Sequence, residues 1–126
     1  MVYLMRFDAN IRAVVATVKG SVVSKEFRTK ALGGLEMMVV HKAAKLLINV
    51  AEMGVMSVED QRWLQNEWNL KASESGLRHQ AFVVPKDVFG KVAVQRVNND
   101  PKRNQQITIQ YFDSESKALE WLAGSD

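Results

Sequence analysis

The sequence predicts an α/β fold on one mixed or mostly parallel sheet of about five strands, in the order β-β-α-β-α-β-α-β-α. Three observations carry that prediction. Short runs rich in β-branched residues alternate with stretches whose apolar residues recur at helical spacing. The run KLLINV, Lys45 to Val50, is nearly all apolar, which suits a strand covered on both faces or at the sheet centre. No internal repeat, low-complexity tract or long linker breaks the 126 residues, so one domain spanning residues 1–126 is expected.

Taken in order, Tyr3 to Asp8 and Arg12 to Lys19 read as strands joined by a tight turn at Asp8-Ala9-Asn10. From Lys25 to about Lys42, the residues Phe27, Ala31, Leu35, Met38 and Val39 repeat at helical spacing. Ser24 is a candidate N-cap, and Glu26 suits the positive end of the helix dipole. Gly33-Gly34 inside this helix costs about 1 kcal/mol per glycine relative to alanine; it reads as close packing against a neighbouring backbone or as a bend. After KLLINV, a turn over Ala51 to Gly54 leads into a second helix, Val58 to Ser75. Leu64, Trp68 and Ala72 form its stripe, Trp63 and Leu70 flank it, and Gly76 stops it.

Gln80 to Val84 is the next strand, closed by Pro85. The segment Asp87 to Asn98 is ambiguous, since KVAVQRV alternates like a strand while Phe89, Ala93 and Val97 fit a helix. Parallel neighbours need a crossover, which favours the helix. A polar loop, Asn98 to Gln105, precedes a strand over Ile107 to Phe112. A final helix, Ser114 to Ala123, turns Ala118, Leu119, Trp121 and Leu122 inward or nearly so.

Composition narrows the function. The chain has no cysteine, which excludes disulfides and thiolate metal sites. Arg6, Asp8 and Arg12 interrupt the N-terminal apolar run, and no later segment approaches the roughly 20 apolar residues of a membrane span. A soluble, cytoplasmic protein is expected. The net charge of +3 is weak beside the clustered phosphate contacts that nucleic acid requires, and the densest basic patch, Lys102-Arg103, reads as a solvated loop. No nucleic-acid partner is expected.

Chemistry is scarce. His41 and His79 lack a histidine or carboxylate at i+3 or i+4, so metal-ligand spacing is absent, and both are expected to be exposed at element ends. There is no Gly-rich phosphate loop and no G-x-S-x-G elbow, so no cofactor is expected. The acids Glu52, Glu59, Asp60 and Asp87 have no identifiable base or nucleophile beside them, which argues against an enzyme.

Binding is better supported. Met53 and Met56 lie on a loop after a central strand, the edge at which open α/β sheets hold ligands. With Phe89 they outline a candidate site for a small apolar ligand. Trp63 and Trp68 stand about 140° apart on a helical wheel, so one is expected in the core and the other at its edge or an interface. Ser57 precedes the second helix, and Ser57-Val58-Glu59-Asp60 resembles a capping box with Asp60 where Glu or Gln is usual. Phosphorylation of Ser57 would set new charge beside Glu59 and Asp60, although the helix dipole would favour it. The cap is the preferred role.

The run MGVMSVEDQRWLQNEW, with SGLRHQAFVVPKDVFGKVAV after it, resembles the SpoIIAA-like family, grouped with STAS domains and called STAS/SEC14-like. The likeness rests on Gly54 to Trp63, Trp68, Gly76-Leu77, Pro85 and Asp87-Val88-Phe89-Gly90-Lys91. It continues in Tyr111-Phe112-Asp113 and Ala118 to Leu122. The resemblance implies a sheet with helices packed mainly on one face, and a helix over Phe89 to Val97. It also implies a bacterial protein. Its better-understood relatives bind a partner kinase and are phosphorylated on a serine at a helix start, the place Ser57 occupies. Those relatives carry Asp-Ser-Ser-Gly there, whereas this chain reads Val55-Met56-Ser57-Val58. The leading expectation is a non-enzymatic binding or regulatory domain acting on a protein partner or as a homodimer. The alternative is a SEC14-like carrier of an apolar small molecule or lipid, and an enzyme comes third.

Overall fold

The structure is a computed structural model that describes residues 1–86, 88–100 and 106–126, without the side chains at 88–90 and 93. Asp87, the Phe89 side chain and the Lys102-Arg103 patch lie outside the described residues. Strands β1 (Val2–Asp8) and β2 (Ala13–Gly20) form an antiparallel hairpin. The Asp8 carboxylate holds its turn by accepting from the backbone N–H groups of Asn10 and Ile11, and Arg12 adopts a left-handed φ of 55°.

Helix α1 (Ser24–His41) leads to β3 (Lys45–Met53). Helix α2 (Val58–Trp63) runs through a π-helical turn (Leu64–Trp68) into α3 (Asn69–Glu74), and β4 (His79–Val83) follows. Then come α4 (Val88–Val97), β5 (Thr108–Phe112) and α5 (Glu115–Ala123), the last capped by Ser114, whose Oγ accepts from the Lys117 N–H. The helical reading of the ambiguous segment holds over Val88–Val97.

The strands lie side by side in chain order, with β2 to β5 parallel. Right-handed crossovers that all step the same way across a sheet leave their helices on one face. One core accordingly joins Val14, Leu46 and Ile107 of the sheet side to Ala31, Met38 and Trp68 of the helices. Helix α5 follows the last strand instead of crossing over, and it covers the opposite face. There Ala118 and Leu122 meet Leu47, Ala81 and Val83 in a second core. Covered on both sides, β3 has to be apolar at nearly every position, as KLLINV is.

Three expectations need correction. Strand β3 does not turn at Ala51 but pairs onward to Met53, because β2 shifts register between Thr17 and Lys19 and keeps Gly20 opposite Met53. Ser24 does not cap α1. Val23 takes the N-cap position without a side-chain bond, and the Ser24 hydroxyl is spent on Asp60. Gly33 and Gly34 pack against a side chain, not a backbone: added Cβ atoms would stand 3.4 Å from Cε and 3.3 Å from Sδ of Met5. Helix α1 is continuous through them.

Candidate functional site

Between the helix-covered face of the sheet and helices α1, α3 and α4 lies a cavity of about 250 Å³. Val18, Ile48, Val50, Gln80 and Phe82 make its floor, each in phase with the helix-facing side of its strand. Phe27 and Ala31 of α1 form one wall, Leu64, Trp68 and Asn69 a second, and Val94 and Val97 of α4 a third. Met53, Gly54, Val55 and Met56 line it where β3 ends, so the cavity sits at the carboxyl end of the parallel strands.

The π-helical turn builds the middle wall. The Asn69 N–H donates to the Leu64 carbonyl, five residues back, where an α-helix would use the fourth. Adjacent residues then reach two different helices. Trp68 Nε1 donates to the Ala31 carbonyl of α1 at 2.8 Å, and Asn69 Nδ2 donates to the Val97 carbonyl of α4 at 3.0 Å. Both side chains are buried.

No described residue lining the cavity carries a formal charge. The polar groups are the amides of Gln61, Asn69, Gln80 and Asn98, with the Tyr3 hydroxyl. Gln61 Nε2 donates to the Met56 carbonyl at 3.1 Å, and Asn98 Nδ2 to the Tyr111 hydroxyl at 3.3 Å. Burial pushes the Tyr3 hydroxyl up to about 12, so it stays protonated and neutral.

The segment at the cavity's edge is tied down at both ends. Gly54 N–H donates to the Gly20 carbonyl at 2.8 Å. A Cβ at Gly54 would stand 3.1 Å from that oxygen and 3.2 Å from Ser21 Cα, so any larger residue there presses on backbone. At the other end Ser57 caps α2, its Oγ accepting from the Asp60 N–H at 3.1 Å. Asp60 does not complete a capping box. Its carboxylate is buried against α1, accepting from Ser24 Oγ at 2.6 Å and from Arg28 Nε at 3.0 Å. The Arg28 guanidinium also lies over Trp63, 5.4 Å from the ring centre. Burial pushes the Asp60 carboxyl up, but hydrogen bonds from Ser24, Arg28 and Ser57, with the Arg28 charge, hold it below the ordinary carboxylate range.

The structure therefore brings Met53 and Met56 into one wall, with Met53 on the strand end instead of a loop. Ser57 is exposed and outside that wall. Trp68 takes the core position and Trp63 the edge. The described candidate acids do not converge: Glu52 is exposed and pairs with Lys19 at 3.1 Å, Glu59 is exposed, and Asp60 faces Arg28. His41 is exposed and stacked on Phe7. His79 is half-buried instead of exposed, because β4 starts beneath α5 and its ring meets Trp121 edge-on at 5.7 Å. Among the described residues no cluster of three or more His, Asp or Glu could hold a metal, and no helix is long and apolar enough to cross a membrane.

The buried amides escaped the sequence reading. Gln80 carried a signal, since it is in phase with Phe82 on a strand buried on both sides, a register that otherwise selects apolar residues. Asn69 adjoins Trp68 but falls outside the i, i+4 stripe of a regular helix, so only the π-helical turn reveals it.

No protein-family model matches the chain, and no curated protein matches it in sequence. A solved structure does match: an uncharacterised protein of the DUF3478 family from Shewanella loihica PV-4, described as having a SpoIIAA-like fold. The two superpose with a TM-score of 0.66 at 15% identity, over 96% of this chain and 92% of the other. At that identity the likeness speaks for architecture alone. The chain has a SpoIIAA-like fold, a mixed α/β sheet of five strands in sequence order.

Proposed function

We propose that the chain binds a small, largely apolar molecule in the cavity beside Met53 and Met56, holding it without transforming it. The observation that carries this reading is the apolar lining of a space open at the strands' carboxyl ends, where α/β sheets hold ligands. An apolar cavity of about 150 Å³ accepts benzene, so by proportion this one takes a molecule of about ten non-hydrogen atoms. A ligand of that size is expected to bind with a Kd on the order of 10 µM.

Titration with naphthalene, followed by calorimetry and by NMR shifts of residues lining the cavity, tests the proposal. Saturable binding with shifts centred on Ile48, Trp68 and Val97 supports it. Absence of binding by naphthalene and its derivatives, with nothing apolar extracted from the purified protein, overturns it. The partner-protein reading draws on the resemblance and on the exposed position of Ser57, and the wall chemistry adds nothing to it.

A further inference from the structure

We infer that the molecule bound is uncharged and carries a hydroxyl or N–H group, which the side-chain oxygen of Asn69 receives. This inference rests on the binding reading above and adds the chemistry of the ligand. The amide orientation of Asn69 is fixed, because its partner is a backbone carbonyl that can only accept. With Nδ2 on Val97 at 3.0 Å, the oxygen points elsewhere, and no described donor reaches it. Asn69 is only 4% exposed and lines the cavity, so water reaches that oxygen mainly through the cavity itself. An acceptor that faces only the cavity takes its partner from what fills the cavity, and a ligand hydroxyl or N–H supplies that partner in place of water.

Gln61 repeats the pattern: its nitrogen donates to the Met56 carbonyl, which leaves Oε1 as its acceptor. The wall thus offers the acceptor oxygens of Asn69 and Gln61 beside the Tyr3 hydroxyl and the Gln80 amide, and no described cation. Arg28, on the cavity-lining helix α1, is engaged by Asp60 and is not part of the lining. A carboxylate or phosphate would lie in apolar surroundings with no described cation to offset its desolvation. An ammonium ion would find no described carboxylate in the wall either. Neutral alcohols, phenols, amides and azoles with an N–H are the classes that fit.

The test compares naphthalene, 2-naphthol and 2-naphthoate on the intact chain by calorimetry at neutral pH. The expected order places 2-naphthol about tenfold or more above 2-naphthoate, and above naphthalene. Equal or tighter binding of 2-naphthoate overturns the inference while leaving the apolar site standing; binding by none of the three overturns both. In Asn69→Leu the advantage of 2-naphthol over naphthalene should vanish while naphthalene still binds, and an advantage that persists overturns the role of Asn69. A measurement on the unaltered chain guards against a variant that fails to fold. As pH falls toward about 4, 2-naphthoate becomes the neutral acid and its affinity should rise; a flat response overturns the inference.

Discussion

Replacing Asp60 with alanine removes the group that fastens the start of α2 to α1. Hydrogen bonds to a charged acceptor are lost, chief among them those from Ser24 Oγ at 2.6 Å and Arg28 Nε at 3.0 Å. Bonds of that kind contribute about 1.5–3 kcal/mol each. Two features reduce the total here. Arg28 is 38% exposed and can turn to water, whereas Asp60, at 1%, recovers the desolvation that burial costs it. The net loss should therefore be about 2 kcal/mol, or roughly 6–10 °C in Tm for a domain of this size. Asp60→Asn, which keeps one acceptor oxygen, should lose about half as much.

Chemical denaturation at neutral pH, repeated in acid, measures both effects. The folded carboxyl titrates below its unfolded counterpart, so its contribution is present above the ordinary carboxyl range near pH ~4 and is lost as pH falls through the folded value. The gap between wild type and Asp60→Ala should then close in acid. A variant as stable as wild type at pH 7, or a gap that widens below about pH 4, would refute the reasoning.

Three further outcomes follow from the same region. Ser57→Ala should cost about 1 kcal/mol in denaturation, the value of the lost cap, whereas Ser57→Asp should stay within a few tenths of wild type. Ala31→Leu extends a side chain into the cavity, so naphthalene affinity should fall about tenfold or more while Tm holds or rises. Gly54→Ala should destabilise the chain by about 1–3 kcal/mol, since its Cβ would press on backbone atoms of Gly20 and Ser21 and not on a side chain that can rotate; an unchanged Tm would show that the segment yields.

The elements were legible because each rests on a local pattern. Helix α1 shows its period in Phe27, Ala31, Leu35 and Met38, and β3 its double burial in KLLINV. The place of Met53 and Met56 at the carboxyl edge of the sheet was legible because it follows from strand order alone. What stayed hidden depends on distant partners. The π-helical turn is set by where Trp68 and Asn69 find carbonyls, 37 and 28 residues away along the chain. Asp60 reads as a capping-box residue because Arg28, the group that gives it an inward role, lies 32 positions earlier. Ser24 was misread for the same reason: its partner lies 36 residues ahead.

Strand order has a consequence for how the chain is made. Each strand pairs with the one synthesised just before it, so the sheet can grow from β1 to β5 in the order of translation, closing one crossover at a time. Helix α5 emerges after all five strands, and until it does, Ala13, Val15, Leu47, Ala81 and Val83 lack the cover that Ala118 and Leu122 give them. A nascent chain halted before Glu115 should carry a finished cavity and an adhesive back. Ribosome-bound chains of that length are therefore expected to take up an apolar dye and to lose it once Leu122 has cleared the exit tunnel, a delay set by the translation rate.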